Sequence, residues 1–127
     1  MEYLKIEKTD FTPEVTVDCD KGTISIVGIC IPEDAVVFFE PIIQKVDCLM
    51  QNKRQIIFDI YLEYFNTGFS KNLLALFMKV VELDSNENSK SKVIWKLEEG
   101  DDELRESGEL FEEISKLDFE FVEIPQH

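Results

Sequence analysis

Charged and apolar residues alternate over 3–7, with Leu4 and Ile6 on one face and Tyr3, Lys5 and Glu7 on the other. A period of two marks a half-buried strand. After Thr12-Pro13, Val15 and Val17 alternate with Thr16 and Asp18; beyond Asp20-Lys21-Gly22, Ile24 and Ile26 alternate with Thr23 and Ser25. Gly22 can supply the positive φ of a tight turn, so these two runs predict a hairpin. The period then lengthens. Val36, Val37, Phe39, Ile42, Ile43, Val46 and Leu49 recur at helical spacing behind Pro32-Glu33-Asp34, which predicts a helix with acidic residues in its first turn. Pro41 removes the hydrogen bond to the Val37 carbonyl and predicts a kink or two short helices.

Residues 54–65 predict the clearest strand. Ile56, Phe58, Ile60, Leu62 and Tyr64 share one face; Ile57, Asp59, Tyr61, Glu63 and Phe65 share a half-polar one. A second helix from near Gly68 carries Leu73, Leu74, Phe77, Val80 and Val81, then fades into a solvated loop over 84–91. Val93, Trp95 and Leu97 predict a further strand, followed by a helix over about 101–116 and a last strand over 119–124. The order β-β-β-α-β-α-β-α-β predicts a single α/β domain over residues 1–127. Its mixed sheet would have helices packed mainly on one face and the other face partly open.

Composition narrows the function. The chain has 127 residues, 44% of them hydrophobic, enough for one domain with one core. Its net charge of −14, from 27 acidic and 13 basic side chains, argues against nucleic acid or membrane as a direct partner. No apolar run approaches the ~20 residues of a membrane helix, and the N-terminus has no hydrophobic signal region, so a cytoplasmic location is expected. Cys19, Cys30 and Cys48 stand far apart and odd in number, as reduced thiols do.

Catalytic chemistry is poorly supplied. The only histidine is His127, the last residue, which excludes Ser-His and Cys-His pairs and multi-histidine metal sites. Neither phosphate-binding glycine motif is present, so a non-enzymatic role without cofactor is expected. The acidic run Glu98–Glu103 reads as a solvated loop capping the next helix, with a divalent-cation site as the alternative.

The segment Tyr64–Lys71 offers more. Asn66 and Thr67 are both good helix N-caps, and capping is the simplest role for Thr67. A hydroxyl at a helix N-terminus is also well placed for phosphorylation. The free N–H groups and the dipole tolerate the phosphate, Lys71 adds a contact, and the same charge is costly inside a protein interface. Tyr64, Phe65 and Phe69 are the expected interface anchors, flanked by Glu63 and Gly68. Phe69, in the first turn after a glycine, is expected to be more exposed than Tyr64.

A family resemblance runs over nearly the whole chain. It rests on Thr12-Pro13-Glu14-Val15, Lys21-Gly22, Ile31-Pro32-Glu33-Asp34-Ala35 with Phe39-x-Pro41, and Leu62-Glu63-Tyr64-Phe65-Asn66-Thr67 with Ser70-Lys71. Trp95, the acidic segment Glu98–Glu103 and Phe119-x-Phe121-x-Glu123-Ile124 complete it. In these the chain resembles the SiaC family of bacterial regulatory phosphoproteins, themselves similar to STAS-domain anti-sigma-factor antagonists of the SpoIIAA kind. The resemblance implies a STAS-like fold and a phosphoacceptor at Thr67, with Asn66, Ser70 and Lys71 as its motif neighbours. It implies a dedicated Ser/Thr kinase, a PP2C-type phosphatase, and a diguanylate cyclase bound and activated by the unphosphorylated form. This chain departs from the family at Gly68 and Phe69, where small residues, often serine, are usual. Two other readings stay open: an antagonist that binds an anti-sigma kinase, and a small ligand-binding or enzymatic domain using the acidic loop.

Overall fold

The computed structural model describes residues 3–52, 55–84 and 91–126. Among these residues six strands form one sheet in chain order: β1 (Tyr3–Ile6), β2 (Glu14–Asp18), β3 (Thr23–Cys30), β4 (Ile57–Phe65), β5 (Lys92–Glu98) and β6 (Asp118–Ile124). The first two pairings are antiparallel and the last three parallel. Three helices make the parallel crossovers: α1 (Ala35–Asn52), α2 (Thr67–Asp84) and α3 (Asp102–Ser115). Crossovers of one hand between successive strands put all three helices on the same face.

The expected α/β class and mixed sheet are therefore found. At the hairpin, Gly22 has φ 72°, its N–H bonds the Asp18 carbonyl, and the Lys21 N–H bonds the Asp18 side chain. Val15, Val17, Ile24, Ile26, Phe58, Ile60, Val93 and Trp95 point to the helices and are buried. Phe39 and Ile42 from α1 and Leu73 and Phe77 from α2 meet them. The opposite face stays half-covered, with Asp59 and Lys96 paired at 3.1 Å.

Several local expectations need correction. Of the two outcomes expected at Pro41, two short helices are not found: α1 runs on through it, and Pro41 is exposed, so water can reach the carbonyl that its ring leaves unbonded. Its acidic residues precede the first turn: Asp34 accepts from the Val37 N–H and caps the helix. β4 begins at Ile57, because the Ile56 N–H turns to the hydroxyl of Ser91. That serine, expected in a solvated loop, is buried; residues 85–90 of the loop lie outside the described residues.

Candidate functional site

The site is built where β3 and β4 end. Gly28 has φ 128°, and a Cβ placed on it would lie 3.5 Å from the Cα of Pro13. The register slips here: Gly28 pairs with Leu62 but Ile29 with Tyr64, leaving Glu63 as the extra residue of a bulge. A bulge re-aims the side chains that follow it. Glu63 and Tyr64 are both exposed, and Tyr64 reaches 62%. Phe65, expected on the open face, swings to the helix side, its ring 6.3 Å from that of Phe111.

Asn66 then locks the turn into α2. Its N–H bonds the Cys30 carbonyl at 3.0 Å, and its side-chain amide donates to the Pro32 carbonyl at 3.3 Å. Its Oδ1 accepts from the Phe69 N–H at 2.9 Å and its carbonyl from the Ser70 N–H at 3.0 Å. Asn66 is therefore the N-cap, the role that Thr67 was expected to fill. Thr67 is the first helical residue. Its side chain is exposed, and its hydroxyl has no hydrogen-bond partner among the described residues. The N–H groups of Thr67 and Gly68 fall among the orphan donors of a helix start. Ser70, by contrast, turns its hydroxyl onto the Thr67 carbonyl at 2.9 Å. Lys71 is exposed one turn beyond Thr67.

Tyr64 and Phe69 reverse their expected order of exposure. Phe69 is 0% exposed and packs on Phe39, ring centroids 5.1 Å apart, so it is a core residue and no surface anchor. Gly68 is exposed, and a Cβ on it would stand 3.5 Å from the Ala35 Cβ. That contact brings the start of α1 beside Thr67. Val36 and Val37 there are exposed, although their spacing had suggested a buried helix face. The sequence signal was an apolar arc too broad for one buried stripe.

The acidic segment is structural in part. Asp101 Oδ1 accepts from the Leu104 N–H at 3.0 Å and caps α3. Among the described residues, no group of three or more histidine, cysteine or acidic side chains is placed to hold a metal ion. Among the described residues, no helix is long and apolar enough to cross a membrane. Cys19, Cys30 and Cys48 are not disulfide-bonded, and burial, with the Glu63 carboxylate nearby, pushes the Cys30 thiol well above its ordinary pKa. His127 lies outside the described residues.

Comparison with known proteins follows the same outline. No curated protein matches the chain significantly. Among solved structures, one similar chain belongs to the crystal structure of diguanylate cyclase SiaD in complex with its activator SiaC from Pseudomonas aeruginosa. Its TM-score is 0.88 at 22% identity, over 95% of this chain and 99% of that one. Apo-SiaC from the same organism gives a TM-score of 0.82 at 23% identity, over 96% and 99% of the two chains. A further structure of SiaC gives 0.83 at 24% identity, over 99% and 100%. The fold is thus shared at low identity. The sequence profile of the SiaC family regulatory phosphoproteins matches residues 6–124, and the chain belongs to that family.

Proposed function

We propose that this chain is a cytoplasmic partner-switching protein without catalytic activity. With Thr67 bare it binds and activates a diguanylate cyclase; a phosphate on Thr67 releases that partner. One observation carries the reading. Asn66 takes the capping duty, which leaves the Thr67 hydroxyl exposed at a helix N-terminus and without a hydrogen-bond partner among the described residues. The likeness to a chain from a cyclase–activator complex supports a cyclase over an anti-sigma kinase as partner. A dedicated Ser/Thr kinase and a PP2C-type phosphatase complete the cycle.

The energetics suit a switch. A phosphate at the start of α2 meets orphan N–H groups, the dipole and Lys71, an interaction worth up to ~2 kcal/mol to its own domain. Buried against a partner, the same charge costs about 2–5 kcal/mol, roughly 30-fold to several-thousand-fold in affinity. The domain stays folded while the complex dissociates. Tyr64, Glu63, Phe65 and Gly68 frame the acceptor, and Tyr64 is the exposed aromatic anchor.

Phosphopeptide mass spectrometry of the protein purified from its own cells, with and without phosphatase treatment, tests the acceptor. The phosphate is expected on Thr67. Cyclase assays with both forms test the direction: the bare form activates and the phosphorylated form does not. A chain bare under every growth condition, or two equally active forms, overturns the reading.

A further inference from the structure

We infer that the trough between α2 and α3 docks an amphipathic helix of the protein partner, with an apolar stripe two turns long and an arginine or lysine at one end. This rests on the reading of the chain as a partner-binding protein and specifies what it binds.

The trough has a volume of about 190 Å³ and is lined by Phe65 and Phe111 together with residues of both helices. Lys71 and Leu74 line it from α2, and Ser107, Leu110 and Ile114 from α3. On each wall these residues follow the three- and four-residue steps of one helix face, a ridge into which another helix can pack. Leu110 is 56% exposed and Ile114 44%, on a helix whose other exposed residues are largely glutamates. Met78, 43% exposed, extends the α2 wall by one turn past Leu74. From Lys71 to Met78 the wall is about 10 Å long, two turns of helix.

What fits is set by the adjoining pocket. A second hollow of about 140 Å³ shares Phe65 and Ser107 with the trough and is lined by Glu63, Tyr64, Asp101 and Glu103. Asp101 is engaged as a cap; Glu63 and Glu103 have no ion-pair partner among the described residues. An apolar groove opening onto unpaired carboxylates and an aromatic ring matches an apolar helix that ends in a cation. The net charge of −14 disfavours an acidic helix, and equally a second copy of this chain. Thr67 is four residues before Lys71 and seven before Leu74, so it lies on the same stripe at the mouth of the groove. A helix seated there covers it, which gives a phosphate on Thr67 something to exclude.

The probe is a synthetic helix of about 15 residues. It carries leucine or isoleucine at i, i+3 and i+7 and arginine at one end, and is titrated into the ¹⁵N-labelled protein. Amide shifts are expected over residues 63–78 and 101–114. Shifts on the open sheet face, or none at millimolar peptide, overturn the assignment. A peptide with glutamate for arginine is expected not to bind; equal binding overturns it. Leu110→Ser with Ile114→Ser, shown to be folded by its dispersed spectrum, is expected to weaken binding about tenfold or more. Unchanged affinity overturns the groove. Concentration-dependent shifts of the groove without peptide would name a second copy as occupant and also overturn it. Assays with the intact cyclase separate the two readings. If the double variant activates the cyclase as wild type does, the groove fails and the Thr67 switch stands. If the double variant is inactive while Thr67→Asp remains active, the groove stands and the switch fails.

Discussion

A side-chain carbon on Gly108 would lie 2.6 Å from Nε1 of Trp95 and 2.7 Å from a ring carbon of Phe121. The same indole N–H donates to the Leu104 carbonyl at 3.0 Å, so α3 is pinned to the sheet where its backbone comes closest. Trp95 has little room to retreat, with the rings of Phe111 and Phe119 centred 5.5 and 5.9 Å away. Gly108→Ala gains up to about 1 kcal/mol of helix propensity but forces a packed core to shift, at about 1–3 kcal/mol. The net expectation is destabilisation by roughly 1–2 kcal/mol, read from urea denaturation. A variant as stable as wild type would mean that α3 is free to lift, and the wall that Leu110 and Ile114 form with it.

Asn66 and Thr67 are adjacent, and their substitutions are expected to part company. Asn66→Ala removes the cap on α2 and the tie to the Pro32 carbonyl. A loss of about 1–2 kcal/mol is expected. Thr67→Val deletes a hydroxyl that bonds nothing among the described residues, so stability should change by less than about 0.5 kcal/mol. Thr67→Asp should be neutral or stabilising by up to about 1 kcal/mol through the dipole, and should lose cyclase activation. An unfolded Thr67→Asp, or one that activates normally, would count against the switch.

The exposed and buried aromatics make a second pair. Tyr64→Ala removes a surface ring and is expected to keep its melting temperature while losing tenfold or more in partner affinity, about 1.4 kcal/mol. Phe69→Ala empties a site packed on Phe39 and is expected to cost about 3–5 kcal/mol of stability. Thermal melts and titration of the cyclase distinguish the two. Were Tyr64→Ala to melt early and bind normally, the bulge at Glu63 would be serving the core and no interface.

Where hydrophobic period and burial agree, the chain could be read directly. Val15, Val17, Ile24 and Ile26 alternate and are buried, and β3, β4 and β5 are each followed by a helix of the expected period. The resemblance carried by Leu62–Thr67 also pointed to the β4–α2 turn as the candidate site. What period could not show was the extra residue in β4. A single bulge changes the parity of everything after it, which is why Tyr64 and Phe65 exchanged faces. Its trigger, the positive φ of Gly28, is a backbone property that a lone glycine does not announce. The choice between two adjacent capping residues was likewise settled by long-range contacts, from Asn66 to Cys30 and Pro32. The α2–α3 groove depends on how two helices sit together, and no local pattern encodes that.

Cys30 ends β3 directly beneath this turn, its thiol donating weakly to the Gly28 carbonyl at 3.5 Å. Burial holds it protonated, and the Glu63 carboxylate adds to the effect. The unfolded chain loses this proton above the ordinary thiol pKa of about 8.5, whereas the folded chain keeps it. The thiol's contribution is therefore fully present below that value and is lost as the pH rises beyond it, by up to about 1.4 kcal/mol per pH unit. In urea denaturation, wild type is expected to lose stability more steeply above about pH 9 than Cys30→Ala does. The slope is the readout, since the substitution also changes packing. Alkylation of the native protein at pH 8 should reach half-buried Cys48 well before Cys30, and urea should abolish the difference. Parallel slopes together with rapid native alkylation of Cys30 would place water at the β3–β4 junction, and the turn that presents Thr67 would then be looser than its hydrogen bonds imply.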